Sequence, residues 1–306
     1  MTSEVNCKHQ IKPIAFLNCE TLGVVSDSYA QMPTPVVMND LVRVFFSNRD
    51  HSSKSTIHFV DLNINELFVV RKTGKLNLEL GLPGSFDDAG QMPSCINKIG
   101  EKWFMYYVGW NQALNVPYRL SIGLAESQDL TRFKKFSEGP ILDRSIDNPF
   151  FVTTPSVNLV DNKFQMFYSR GNQWKQDGTA FESRYSVAHA ESQDGITWGN
   201  FRTLDFGDPE YFCIARPTPI GEHLIYSRRP VLDFRTTGNG YRLEISRRVG
   251  VSEFVKCEII WDKTNLGKAD TSYAYPIEIN GRWFIFFNGE GFGKSGIHIA
   301  SIDGEL

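Results

Sequence analysis

The chain has 306 residues, 41% of them hydrophobic and 22% charged, a balance that excludes wholesale disorder and collagen-like structure. Its formal net charge of −3, from 32 Lys and Arg against 35 Asp and Glu, provides no global positive field to hold nucleic acid. Aromatic residues stand out at 13%, which suits pleated, half-buried surfaces and points to a β-rich fold.

The N-terminal stretch MTSEVNCKHQIKPIAFLN has no basic region followed by an apolar run, so no secretory leader is expected. No segment approaches the roughly 18 apolar residues of a membrane span. Ile11–Leu17 reads as a solitary strand. From Pro33 onward one unit recurs: a Pro opening a short strand, a polar turn, then an aromatic-rich strand. The openings are Pro33, Pro93, Pro155, Pro217 and Pro276, spaced by 60, 62, 62 and 59 residues. The second strands read VRVFFS from Val42, WFMYY from Trp103, FQMFYS from Phe164, HLIYS from His223 and WFIFF from Trp283. The turns before them, such as Asp161-Asn162 and Asn280-Gly281, are hairpin chemistry. A third strand ends almost identically twice, as Ala125-Glu126-Ser127-Gln128-Asp129 and Ala190-Glu191-Ser192-Gln193-Asp194. A fourth segment leads into the next Pro.

Four strands per unit, repeated radially, predict an all-β, five-bladed β-propeller occupying residues 1–306 as a single domain. Only 30 residues follow Pro276 and 32 precede Pro33, together one period. The N-terminal strand is therefore expected to join the last blade and close the ring, removing an exposed sheet edge.

In such an architecture the loops leading into the first strands, and those between second and third strands, open on one face. The first set carries Asp27, Asp87 with Asp88, Asp147 with Asn148, Glu210 and Asp270. Carboxylates gathered around an axis repel, so that one stays protonated near neutral pH, the condition for acid/base work at a glycosidic bond. Asp87, Asp88, Glu210, Asp27 and Asp270 are accordingly the catalytic candidates. The competing reading is that Asp and Asn simply favour turns. The second set supplies Arg49, Asp50, Trp110, Asn111, Arg170, Arg228 and Glu290, with Arg216 just before Pro217. These are the substrate-binding candidates: guanidinium groups grip carboxylate or phosphate, and an indole face stacks on a sugar ring. The competing reading is a set of Arg–Asp pairs tying blades together.

Ser192-Gln193-Asp194-Gly195-Ile196-Thr197-Trp198 falls in a turn on the other face, where Ser and Asp bond turn amides and Trp198 packs between blades. The six histidines have no metal-ligand spacing, and no GxGxxG, GxSxG or phosphate-loop pattern occurs, so neither metal nor cofactor is expected. Five widely spaced cysteines without a CxxC pair predict a cytoplasmic protein with reduced thiols.

The repeated unit, with Ala190–Trp198 ending a blade, resembles the five-bladed propeller glycosidases: the arabinanase, β-xylosidase and invertase-like families, with the mannoside phosphorylases as cousins. Gly84-Ser85-Phe86-Asp87-Asp88-Ala89-Gly90-Gln91-Met92-Pro93-Ser94 and Tyr118-Arg119-Leu120-Ser121-Ile122-Gly123-Leu124-Ala125 are similar to bacterial glycosidase-like propellers associated with surface-polysaccharide genes. The resemblance implies a carbohydrate-active protein, glycoside hydrolase-like, whose partner is a sugar or glycoconjugate rather than nucleic acid or membrane. The Arg set favours an anionic ligand. In the arabinanase-like hydrolases an Asp directly precedes the first-strand Pro; here Met32, Met92, Thr154, Arg216 and Tyr275 hold that position. Two alternatives therefore stand beside hydrolysis: a non-catalytic glycan-binding propeller, and glycosyl transfer or phosphorolysis at the same site.

Overall fold

A computed structural model describes residues 7–24, 28–178, 180–206, 211–235, 239–262, 270–289, 291–304 and 306. The chain begins with β1 (Lys8–Asn18) and a single helical turn, α1 (Cys19–Leu22), capped by Asn18 and ended by Gly23 in the left-handed region. Antiparallel meanders follow. The first is β2 (Gln31–Met38), β3 (Leu41–Arg49), β4 (Ser55–Asn63) and β5 (Val69–Lys75). The second is β6 (Gly90–Ile99), β7 (Lys102–Gln112), β8 (Tyr118–Ser127) and β9 (Lys134–Lys135), joined to the first at one parallel pair, Ser55 with Gly90. The third is β10 (Val152–Val160), β11 (Lys163–Asp177), β12 (Ala180–Ser192) and β13 (Gly199–Thr203). The fourth is β14 (Phe212–Ile220), β15 (His223–Pro230), β16 (Arg242–Arg248) and β17 (Phe254–Lys256). The last sheet runs β18 (Glu258–Trp261), β1, β21 (Gly296–Asp303), β20 (Arg282–Asn288) and β19 (Ser272–Ile279). In it β1 lies antiparallel to β21 from Gln10–Asp303 to Asn18–Gly296, and β18 adds a parallel outer strand that the repeat did not foretell.

The turn chemistry reads through directly. Asp161-Asn162 and Asn280-Gly281 form two-residue loops with both residues at positive φ, which matches the right-handed twist of the flanking strands. The twin Ser-Gln-Asp motifs also fold alike. Ser192 Oγ accepts from the Asp194 and Gly195 amides, while Asp194 Oδ1 accepts from those of Ile196 and Thr197. Ser127 and Asp129 repeat this with Leu130, Thr131 and Arg132. The backbone donors hold Asp194 down at about 2. Trp198 packs edge-on against Tyr106 of the second meander, and the Tyr106 hydroxyl donates to Gly195 O.

Apolar side chains fill the spaces between successive sheets. Phe45 of β3 meets Met105 and Tyr107 of β7, and Tyr106 meets Met166 and Tyr168 of β11. Phe167 packs with Leu224 and Tyr226 of β15, and Ile225 and Ile245 with Ile285 and Phe287. Phe46 of the first meander packs with Phe286 and Ile299 of the last sheet. Each buried Phe contributes on the order of 1.5–3 kcal/mol. Polar ties reinforce the same neighbours. Where the second strand ends its aromatic run, Ser47 donates to Gln91 O (3.1 Å), Ser169 to Ile214 O (2.8 Å), Ser227 to Thr271 O (2.8 Å) and Asn288 to Ala30 O (2.8 Å). Thus each of these second strands fastens the following unit, and the last fastens the first.

The inner strands meet. β2 packs against β6, β6 against β10, β10 against β14, β14 against β19, and β19 against β2. Each carries a bulge at one height, and four of the residues there have positive φ without being glycine: Met32 (58°), Thr154 (48°), Arg216 (53°) and Tyr273 (55°). Tyr273-Ala274 therefore matches Met32-Pro33, so Pro276 sits two residues past the position its neighbours hold.

Candidate functional site

Above the bulges lies a cavity of about 350 Å³. Every inner strand reaches it: Gln31 and Met32 from β2, Met92 from β6, Thr153 and Thr154 from β10, Ala215 from β14 and Tyr273 from β19. Its walls are aromatic, with Tyr29, Trp110, Tyr118, Phe151, Phe234 and Phe292 prominent. Three guanidinium groups enter it, Arg49, Arg229 and Arg235, and no carboxylate lines it among the described residues.

Arg49, at the end of β3, lies 5.2 Å from the Tyr29 ring centroid. Its buried Nε has no hydrogen-bond partner among the described residues. Arg229 is 3% exposed and held rigidly. It donates to the Tyr185 and Tyr241 hydroxyls (both 3.2 Å) and to the carbonyls of Ser183, Pro230 and Val231, with the Phe234 ring centroid 3.7 Å away. Tyr185 and Tyr241 also bond each other, and burial pushes both phenols up, so they stay protonated. Arg235 is mostly exposed and pairs with Glu182 through Nε (2.9 Å). Among the described residues, three cations stand against this one carboxylate, an electropositive balance. Trp110 spends its N–H on Ser55 Oγ (2.7 Å), leaving the indole as an apolar wall.

The candidates named from the sequence take different places. Arg49 and Trp110 line the cavity. Asp27, Glu210 and Glu290 lie outside the described residues. Asp87 is fully buried, its Oδ2 taking Lys135 Nζ (2.8 Å), Gln91 Nε2 (2.8 Å) and the Tyr107 hydroxyl (3.1 Å). Asn148 repeats that role one unit on, accepting from Tyr168 (2.8 Å). Asp88 accepts from the Gly84 amide in its own turn. Asp270 packs against Gly240 and faces Arg242 at 3.7 Å. Asp50 accepts from the Ser52 and Lys54 amides at an exposed loop tip. Asn111 sits in the β7–β8 ladder opposite Arg119. Arg170 donates to Thr203 (2.8 Å), toward the outer strand of its own sheet. Arg228 lies 3.6 Å over Phe212 and 3.5 Å from Glu244.

Arg216 is wholly buried below the cavity. Its guanidinium donates to Pro33 O, Tyr273 O, Ser94 O and Thr34 Oγ1 at 2.6–3.0 Å and stacks over Tyr275, while its amide donates to Thr154. One residue thus touches all the other inner strands. Burial lowers it to about 10, so it remains charged at neutral pH, neutralised by carbonyl dipoles rather than by a carboxylate.

A parity rule separates the lining residues from their neighbours. Successive strand side chains alternate faces. Positions two past the inter-sheet tie point into the cavity: Arg49 after Ser47, Arg229 after Ser227, and Trp110 at the matching place in β7. In β11 that place is Gly171, and the Phe151 ring occupies the space a side chain would take. The adjacent Arg170 and Arg228 therefore face elsewhere.

Solved structures share this architecture. A structure described as "Glycoside hydrolase" superposes with a TM-score of 0.68 at 14% identity, over 97% of this chain and 93% of that one. A "thermostable family-43 glycoside hydrolase" gives 0.60 at 12% identity, over 90% and 89%. A member of "the GH130 family of mannoside phosphorylases" gives 0.60 at 16%, over 90% and 84%. The chain shares the fold of these solved structures. By sequence, two Mycobacterium tuberculosis proteins, "Uncharacterized protein MT1551" and "Uncharacterized protein Rv1502", are each 26% identical over 292 residues, covering 91% of this chain and 94% of theirs. No protein-family model matches the chain. The cavity lies where the inner strands begin, with the bulge residues Met32, Thr154 and Tyr273 in its lining and no acidic side chain among the described lining residues.

Proposed function

We propose that the chain is a carbohydrate-active propeller of glycoside hydrolase type whose cavity holds an anionic sugar or glycoconjugate. The carrying observation is the convergence of Arg49, Arg229 and Arg235 on an aromatic-walled pocket at the propeller mouth. Guanidinium forks suit a carboxylate or phosphate on the ligand, and aromatic faces suit its ring. The proposal includes five blades in one domain spanning residues 1–306, with β1 completing the last. The last-to-first tie from Asn288 and the packing of β19 on β2 support it.

For hydrolysis the carboxylates would come from Asp27, two residues before the lining Tyr29, from Glu210, and from Glu290. Glu290 stands two past Asn288 and so holds in sequence the position that Arg49 and Arg229 hold in their units. Asp87, Asp88 and Asp270 would then support the frame. Calorimetric titration with uronic-acid or phosphorylated oligosaccharides against neutral counterparts tests the ligand class. Tighter binding of the anionic set by roughly tenfold or more is expected, lost in Arg49→Gln. Equal affinity for both sets, unchanged in that variant, overturns it. On a turned-over substrate, Asp27→Asn, Glu210→Gln or Glu290→Gln should lower kcat by about 10²–10⁴ with binding retained.

A second reading is a non-catalytic glycan receptor. It is favoured by the lack of a lining carboxylate among the described residues and of an Asp before each inner-strand Pro. Retained binding with no product release from any anionic glycan would select it. Turnover that requires inorganic phosphate would select phosphorolysis.

A further inference from the structure

Far from the cavity, at the other end of β15, four side chains from distant stretches meet. Cys7 immediately precedes β1, His9 lies at its start, His223 opens β15, and Cys257 lies between β17 and β18. His223 and Arg229 stand at opposite ends of one strand, about 20 Å apart along it. One potential ligand atom from each of the four residues falls within 4.8 Å of all the others. Cys7 and Cys257 form a disulfide with a Cα–Cα distance of 4.8 Å, which corrects the expectation that all thiols are reduced. His9 Nε2 and His223 Nε2 approach Cys7 Sγ at 3.2 and 3.4 Å, and the two rings sit edge to face. His9, His223 and Cys257 are each more than nine-tenths buried, and the Nδ1 atoms of both histidines have no hydrogen-bond partner among the described residues.

A disulfide sulfur is a poor acceptor, so two buried imidazoles are left with weak contacts only. Two thiolates and two imidazoles are instead the donor set of a closed, tetrahedral zinc site. Metal–sulfur bonds of about 2.3 Å and metal–nitrogen bonds of about 2.0 Å place sulfur and nitrogen roughly 3.5 Å apart, close to the 3.2 and 3.4 Å between Cys7 Sγ and the two histidine nitrogens. A cavity lined by Cys7, His9 and His223 together with Lys8, Glu222 and Arg247 lies at the cluster.

We propose that the reduced chain binds one zinc-type divalent cation at Cys7, His9, His223 and Cys257, and that a disulfide oxidant, taking two electrons from the bound thiolates and leaving as a dithiol, forms the Cys7–Cys257 bond and expels the cation. A dithiol reductant supplies two electrons and two protons to the Cys7–Cys257 bond and becomes a disulfide itself. The cation then displaces both thiol protons and binds two thiolates and two neutral imidazoles. In either state the start of β1 is fastened beside β18. The metal would add β15 of the fourth meander through His223.

The test uses the full chain, reduced with a dithiol, freed of reductant and titrated with Co²⁺ and then Zn²⁺ without oxygen. About one equivalent is expected, with the visible bands of tetrahedral cobalt and a thiolate-to-cobalt charge-transfer band, both erased by Zn²⁺. Cys7→Ser/Cys257→Ser should abolish the charge transfer, and His9→Gln or His223→Gln should weaken zinc roughly tenfold or more. The oxidised chain should bind none. Uptake by the reduced wild type no greater than by the double serine variant, or an octahedral spectrum without charge transfer, overturns the site. So does unchanged affinity when both histidines are replaced. The wild-type spectrum reads the ligands directly, so a variant that misfolds does not decide the matter.

Discussion

Two arginines that look alike in sequence do opposite work. Arg49 offers its guanidinium to the cavity beside Tyr29, whereas Arg216 spends its own on backbone carbonyls of three inner strands and on Thr34. Arg49→Gln should weaken an anionic glycan about 10–100-fold while moving unfolding free energy by less than about 0.5 kcal/mol. Arg216→Met should do the reverse. It leaves buried carbonyls without donors and should cost roughly 3–5 kcal/mol, seen as a large fall in Tm. A Tm unchanged in Arg216→Met, with ligand affinity lost, would move that side chain from frame to site. Two leading-loop positions show what residue type alone leaves open. Asp87 and Asn148 accept from tyrosines at matching places in β7 and β11, so recurrence marked a frame contact. The signal was present: Tyr107 and Tyr168 stand at the same step of their strands. In the first and last units that step is Phe46 and Phe287, which have no hydroxyl to donate.

Among the elements, the second strand of each meander carries the organisation. Its aromatic run was legible because both faces of these strands are buried, so large apolar residues follow one another without a break. Which of two adjacent residues faces the cavity was not, because a shift of one residue inverts every side chain. The polar residue closing the run settles it, and its value can be measured. Asn288 donates to Ala30 and Gly296 and accepts from the Met32 amide, all buried. Asn288→Ala should cost roughly 2–4 kcal/mol in denaturant unfolding. The Ser-Gln-Asp turns make a pH prediction. Asp194 titrates at about 2 when folded, against roughly 3.9 unfolded. Its stabilising contribution is therefore complete above pH ~4 and is lost as pH falls toward 2. Asp194→Asn should lose less Tm than wild type between pH ~5 and ~2.

For the whole molecule, the roughly 60-residue period was readable because every unit solves the same packing problem. What escaped were contacts between stretches far apart in the chain. Nothing near Cys7 in sequence announces Cys257, 250 residues away, and β18 joins β1 only because both lie at the rim of one sheet. A cross-link spanning that length is worth about 5 kcal/mol by loop entropy. Reduction in the presence of a chelator should thus lower Tm markedly, and a chain indifferent to reductant would show that the two rim strands are held by their ladder alone. Pro276 misaligned for a related reason: a bulge belongs to the geometry where strands converge, and the proline marking it elsewhere need not sit on it.

The left-handed residues under the cavity carry a final consequence. Met32, Thr154, Arg216 and Tyr273 each sit in a conformation costing on the order of 1–3 kcal/mol, retained because the surrounding strands leave no alternative. Where Met32, Thr154 and Tyr273 stand at the bottom of the bowl is therefore set by main-chain torsion. Lining side chains without the bonds to the frame that Arg216 and Thr154 make are free to be exchanged over evolutionary time without redrawing the vessel. New specificities in such a scaffold would arise by swapping the lining at the rim, and a laboratory seeking to retarget it would do best to leave those four torsions alone.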